Sequence, residues 1–189
     1  GYSKKEEDLI DRLCDLQTLL HNTPTEQLPF SGFDYWEDFI KPRFQRAAEL
    51  FNIQTQAKDV VLNVEEFNKA KQKRLMHPDL TTTNIIVSTR NSLIVFDNEL
   101  LTLGTMQLLD VCNTTYSMKK DLANLYFNQY LSKNKLNLTT DSLTGLNAAW
   151  FARILGSAFF SGNFKKAQNI IDQHVSQKWL LPFDINKLT

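Results

Sequence analysis

The chain has 189 residues, enough for one domain with a single buried core. Its 21 Lys and Arg equal its 21 Asp and Glu, so no global field draws it to nucleic acid, an anionic membrane or a polycationic substrate. Apolar residues make up 42% of the chain but never run for the ~18 positions that a membrane-spanning helix needs, so a soluble protein is expected.

In chain order, Leu9, Leu13, Leu16 and Leu20 recur at helical spacing from Lys4 to about His21, with Glu6, Glu7 and Asp8 at the positive end of the helix dipole. Thr23-Pro24 and residues 29–32 punctuate a loop. Asp34, followed three positions on by Glu37, predicts a capped helix start. That helix carries Trp36, Phe39, Ile40, Phe44, Ala47, Leu50 and Phe51 on one face, and Pro42 is expected to bend or divide it. Asn63 and Glu66 repeat the capping pattern and predict a third helix that ends near Arg74.

The period then changes. Ile85-Ile86-Val87 and Leu93-Ile94-Val95-Phe96 are short β-rich runs joined by a polar connection, residues 88–92, which predicts an antiparallel hairpin. Beyond Met118 the helical period returns in three segments. The first carries Leu122, Leu125, Tyr126 and Gln129, the second Leu143, Leu146, Trp150, Ile154 and Ala158, the third Phe164, Ala167, Ile170, Ile171 and Val175. The expected fold is mainly α with a small β-hairpin, one domain over residues 1–189.

Cys14 and Cys112 sit far apart in apolar surroundings and read as buried free thiols of a reducing, cytoplasmic compartment. His21 and His174 lie on helices without the company that a metal site requires, and are expected at the surface. Trp36, Phe39, Phe44, Trp150, Phe151, Phe159 and Phe160 read mostly as core. Lys119-Lys120 and Lys165-Lys166 read as solvated helix faces and not as a nucleic-acid patch.

One stretch carries chemistry. Asp79 is followed five positions later by Asn84, and thirteen positions after that by Asp97. This is the spacing with which kinase-like phosphotransferases place one proton acceptor and two metal ligands. Phosphoryl transfer to an alcohol demands positioning and charge neutralisation more than covalent help. Asp79 is therefore the candidate base. Magnesium takes oxygen ligands and keeps several waters, so one carboxylate and one amide oxygen are an adequate protein share, and Asn84 and Asp97 supply them across the hairpin.

The motif His77-Pro78-Asp79-Leu80-Thr81-Thr82-Thr83-Asn84, with Phe96-Asp97-Asn98, resembles the signature of the aminoglycoside phosphotransferase and choline kinase family, relatives of the eukaryotic-type protein kinases. That family reads His-Gly-Asp-Leu-His-Pro-Gly-Asn, then a hydrophobic strand and an Ile-Asp-Phe or Ile-Asp-Trp element. The resemblance covers residues 75–111 in motif and, more loosely, the flanking helices as a C-terminal, helical catalytic lobe of a kinase-like α+β fold. It implies Asp79 as catalytic base, with His77 among the catalytic residues as the brace of the loop. It also implies Asn84 and Asp97 as ligands of magnesium and so of bound ATP, and Asp110 as structural support of the site. Pro78 stands where Gly is usual, Thr81, Thr82 and Thr83 replace His-Pro-Gly, and Asn98 replaces an aromatic or acidic neighbour; none of these removes a charged group.

A complete kinase of this type needs a strand-rich nucleotide lobe with a lysine for the phosphates. The six glycines are unclustered and the first seventy residues show helical periodicity, so that N-terminal lobe is expected to be missing from this chain. The reading is the C-terminal lobe of an ATP-dependent kinase acting on a small-molecule hydroxyl, inactive in isolation. The alternative is a pseudokinase or partner-binding module that keeps the lobe without phosphoryl transfer.

Overall fold

The computed structural model describes residues 2–26, 28, 33–69, 71–89, 92–176 and 178–188. The loop expected over 29–32, and Arg90 and Asn91 at the centre of the hairpin connection, lie outside the described residues. The fold is mainly helical with a small β content, as the periodicity predicts. The chain divides into two compact units.

The first unit comprises Gly1–Ser31, Gln72–Asn137 and Pro182–Thr189. Helix α1, Lys4–Asn22, begins at a reciprocal cap: the Glu6 amide donates to Ser3 Oγ at 3.3 Å, and the Ser3 amide donates to Glu6 Oε2 at 2.7 Å. Its inward face is Ile10, Leu13, Cys14, Gln17 and His21, and it packs on α5, Lys120–Lys133. The buried side of α5 is Ala123, Asn124, Tyr126, Phe127, Tyr130 and Leu131, rotated from the Leu122, Leu125 and Gln129 stripe, whose members are only half-buried. Aromatic rings drive that rotation because they bury more area than leucines.

Between these helices run four short strands and helix α4, Gln107–Thr115. Strands β2, Ile85–Val87, and β3, Leu93–Val95, form the predicted antiparallel hairpin, with Ile85 opposite Val95. Its face carrying Ile86 and Ile94 is exposed, as are Val87 and Phe96. A second antiparallel pair, β1 (Arg74–Met76) with β4 (Thr102–Gly104), was not foreseen. Each strand is three residues long, too short for a visible alternation, and the partners are separated by the whole hairpin.

The second unit comprises Gly32–Lys71 and Leu138–Leu181. Asp34 caps its first helical turn, accepting from the amides of Trp36 at 2.9 Å and Glu37 at 3.0 Å. In answer, the Asp34 amide donates to Asp38 Oδ2 at 2.6 Å and not to Glu37, because Tyr35–Ile40 is wound as a π-helix, which opens the turn by one residue. Helix α2, Lys41–Leu50, follows with Pro42 in its first turn, so the proline divides the segment where expected. Helix α3 spans Gln54–Asn68, which corrects the sequence expectation. Asn63 lies inside the helix, whose apolar stripe of Ala57, Val60 and Val64 starts well before it, and Arg74 belongs to β1. A two-residue cap pattern is a weak signal beside a stripe that buries area.

Helix α6, Thr140–Phe160, is buried on most of its circumference because α2, α3 and α7 (Phe164–Val175) all pack on it. Gly162, with φ +70°, turns the chain between α6 and α7 in the left-handed conformation that glycine adopts without strain. Trp36, Phe44, Trp150 and Phe151 are core residues, whereas Phe39 and Phe159 are half-buried and Phe160 is exposed. No described helix is long and apolar enough to cross a membrane.

Candidate functional site

All five residues singled out in the sequence fall in the first unit. His77 directly follows β1, and a tight succession of turns carries the chain from there to the hairpin. The Leu80 amide donates to His77 O at 2.8 Å, the Thr81 amide to Asp79 O at 2.7 Å, and the Asn84 amide to Thr81 O at 3.0 Å. Leu80 is fully buried and anchors this loop from within. Where the family pattern has His-Pro-Gly, two hydroxyl contacts hold the backbone instead: Thr81 to Thr83 at 2.7 Å, and Thr82 to Ser117 at 2.9 Å.

The structure brings Asp79 and Asn84 into direct contact. The Asn84 Nδ2 amide donates to the Asp79 carbonyl oxygen at 2.9 Å and to Asp79 Oδ2 at 2.8 Å. One side chain thus fixes both the main chain and the carboxylate of the candidate base. Asp79 Oδ1 and Asn84 Oδ1 accept nothing from any described residue, so each keeps an oxygen for a ligand.

The hairpin ladder sets the backbone position of Asp97. The Phe96 amide donates to Asn84 O at 3.1 Å, continuing the register of Ile85 opposite Val95, so Asp97 stands one residue past the cross-strand partner of Asn84. Its φ of +62°, two residues past the end of β3, is a left-handed step, unusual for a residue with a side chain. The carboxylate is exposed and bonds to no described residue.

His77 and Asp110 lie beneath. His77 is buried; its Nε2–H donates to Asn98 Oδ1 at 2.9 Å, and its Nδ1 has no partner among the described residues. Asn98, a departure from the family pattern, is therefore the residue that orients this ring. Asp110, in the first turn of α4, is fully buried, and its Oδ2 accepts from the His77 main-chain amide at 3.0 Å.

Two residues of this arrangement were missed in the sequence. His21 is buried and not at the surface: its Nε2–H donates to Asp110 Oδ2 at 2.8 Å, and Nδ1 contacts Tyr130 Oη at 2.5 Å. Gln17 Nε2 donates to the same Asp110 oxygen at 3.3 Å and to Thr114 Oγ1 at 3.2 Å, while its Oε1 accepts from Tyr126 at 2.5 Å. Asp110 Oδ2 is thus a three-donor acceptor that joins α1, α4 and the start of the Asp79 loop. His174, in the second unit, is half-buried and not fully exposed; it stacks on Phe151 with centroids 3.8 Å apart.

Both cysteines are buried and free. Burial raises the Cys14 thiol to about 11 and the Cys112 thiol well above its ordinary value, so neither is a nucleophile near neutral pH. The described residues hold no cluster of three or more His, Cys, Asp or Glu side chains arranged to bind a metal. A magnesium site of one carboxylate and one amide oxygen, completed by phosphates, needs no such cluster.

No protein-family model and no curated protein matches the chain. Among solved structures it is similar to an ethanolamine kinase of Plasmodium vivax, at 12% identity and a TM-score of 0.57, over 90% of this chain and 58% of that one. It also aligns with a choline kinase of Cryptosporidium parvum at 12% identity and a TM-score of 0.47, over 89% of this chain and 67% of that one. The first likeness shows the fold: a helical, kinase-like C-terminal lobe, spanning somewhat over half the length of that structure.

Proposed function

We propose that residues 1–189 act as the catalytic lobe of a magnesium- and ATP-dependent phosphotransferase that phosphorylates a small-molecule hydroxyl. The observation that supports this reading best is the pair of hydrogen bonds from Asn84 Nδ2 to Asp79, which fixes the candidate base and leaves one carboxylate oxygen and one amide oxygen without a partner among the described residues. Asp79 orients the acceptor hydroxyl through Oδ1 and takes its proton as transfer completes. Asn84 Oδ1 and the Asp97 carboxylate are the hard oxygen donors that would hold magnesium, whose chemistry is to neutralise charge on the phosphates. His77 and Asp110 are positioning residues: Asp110 holds the His77 main chain two residues before the base, and Asn98 holds the ring.

The exposed apolar hairpin face that carries Ile86 and Ile94, with Phe96 continuing it, is the kind of surface that a nucleotide lobe would cover. One structural neighbour is an ethanolamine kinase, so a small amino alcohol is the first acceptor to try. The decisive experiment supplies the full-length protein with magnesium, ATP and an amino-alcohol panel. Removal of a general base costs about a hundredfold to ten-thousandfold in rate, so Asp79→Ala should nearly silence transfer while the unfolding midpoint stays close to wild type. Unchanged turnover in that variant refutes the assignment. A full-length protein that is folded yet transfers nothing to any acceptor leaves the alternative, a partner-binding module with this lobe's fold.

A further inference from the structure

The second unit contains a feature that plays no part in the site above: two arginines, Arg43 on α2 and Arg153 on α6, that no carboxylate among the described residues neutralises. Every ion pair between described residues involves other cations, and none of the residues outside the description is an Asp or Glu. Arg153 Nε donates to Tyr35 Oη at 2.7 Å and its Nη1 donates to Ser157 Oγ, so its described partners are neutral hydroxyls. No described residue accepts a hydrogen bond from the Arg43 guanidinium. That group instead lies on two aromatic rings, with Cζ 3.6 Å from the centroid of Phe39 and 4.8 Å from that of Phe160.

The two guanidiniums share one platform. Arg153 Cζ is 6.0 Å from the Phe39 centroid on which Arg43 stacks. The helices are brought close at this point by Gly156, three residues after Arg153: a Cβ there would stand 3.1 Å from Arg43 Cβ and 3.3 Å from the Phe44 amide nitrogen. Burial and the neighbouring Arg153 charge both lower the Arg43 pKa. Half-buried cations are ordinarily paired, because desolvation without a counter-charge is costly. Here the fold collects two of them, fixes their planes against rings and hydroxyls, and leaves their outer N–H edges without described acceptors.

We propose that Arg43 and Arg153, on the Tyr35–Phe39–Phe160 platform, form a binding site for the dianion of a phosphate monoester. A carboxylate has two oxygens and is saturated by one guanidinium fork, whereas a phosphate ester has three terminal oxygens and two charges, enough to accept from both arginines. The exposed Phe160 ring at the edge offers an apolar contact to the organic part of the ester. This site is independent of the Asp79 chemistry and stands whether or not the chain transfers phosphate.

The test titrates the full chain with inorganic phosphate and with phenyl phosphate by calorimetry, and compares unfolding midpoints in phosphate and in chloride at matched ionic strength. Wild type and Asp79→Ala should bind both anions, phenyl phosphate more tightly, and phosphate should raise the midpoint more than chloride does. Arg43→Gln and Arg153→Gln should each weaken binding about tenfold or more, as expected for the loss of charge-assisted bonds from one fork. Arg43→Lys, which keeps the charge without the fork, should fall between and serves where a glutamine variant does not fold. Phosphatidic acid vesicles separate the sources: vesicle retention lost in Arg43→Gln assigns the ester to a lipid headgroup, and binding of phenyl phosphate without retention assigns it to a free metabolite. A wild-type midpoint that phosphate moves no more than chloride, or equal phosphate affinity in the arginine variants, overturns the proposal.

Discussion

Replacing Asp110 with Asn tests whether the loop that carries the candidate base is tied to the first unit through one oxygen. Asp110 Oδ2 accepts from His77 N at 3.0 Å, His21 Nε2 at 2.8 Å and Gln17 Nε2 at 3.3 Å, all in a fully buried setting. Asparagine keeps the shape and can present its one oxygen to the same three donors, but loses the charge. Hydrogen bonds to a charged acceptor are roughly twice as strong as neutral ones, so the loss comes to about 1 kcal/mol per bond and about 3 kcal/mol in all. The amide nitrogen then occupies the place of Oδ1, which has no partner now, and adds a buried donor to the cost. For a chain of this size such a loss lowers the unfolding midpoint by roughly 6 to 12 °C. Asp110→Ala, which strands a buried imidazole and an amide, should cost about 3 to 5 kcal/mol. Thermal and urea unfolding followed by circular dichroism give the totals, and hydrogen exchange at the His77 amide gives the local effect. An Asp110→Asn protein within about 0.5 kcal/mol of wild type, with His77 exchange unchanged, refutes the reasoning.

Two further outcomes belong to the second unit. At Gly145 a Cβ would stand 2.4 Å from Phe67 Cβ and 2.7 Å from its Cγ, so Gly145→Ala must push α6 and α3 apart. Overpacking of this kind costs about 1 to 3 kcal/mol, more than the helix-propensity gain of about 1 kcal/mol, and urea unfolding should show a net loss. A more stable variant contradicts the packing. His174, stacked on Phe151, has its pKa lowered by burial from an ordinary 6.5. The folded state therefore prefers the neutral ring. Its contribution is fully present above 6.5 and is lost as pH falls from there through the lowered folded value, because the unfolded chain takes the proton first. His174→Gln should flatten the decline of stability between pH 7.5 and 5, and an identical slope in both proteins counts against that sign.

The readings that succeeded rest on signals that need only neighbouring residues. The hairpin is legible because β-rich runs meet across a short polar connection, and α1, α6 and α7 because each repeats apolar residues over three or more turns. The start of α3 was misplaced because Asn63 and Glu66 mimic a cap inside a continuous helix. The pair of β1 with β4 was invisible because three-residue strands carry no period and their pairing skips a hairpin. The Asp79 and Asn84 positions were readable as a spacing, since a loop closed by its own turns keeps five-residue neighbours together.

The Asp110 acceptor differs in kind, because its donors lie 93, 89 and 33 residues away. No local window can pair them. A trace exists nonetheless in α1. Gln17 and His21 are four residues apart, on the face that Leu13 and Cys14 turn inward, and that face meets α5 and β1. Two polar side chains at consecutive inward positions of an amphipathic helix are costly unless a partner waits for them. Such a pair therefore predicts a buried acceptor elsewhere in the chain, and a lone acidic residue inside another apolar run, as Asp110 is between Leu109 and Val111, is where to look for it. Applied to this sequence, that rule joins His21 to Asp110, and through the His77 amide ties the first helix to the loop that holds Asp79.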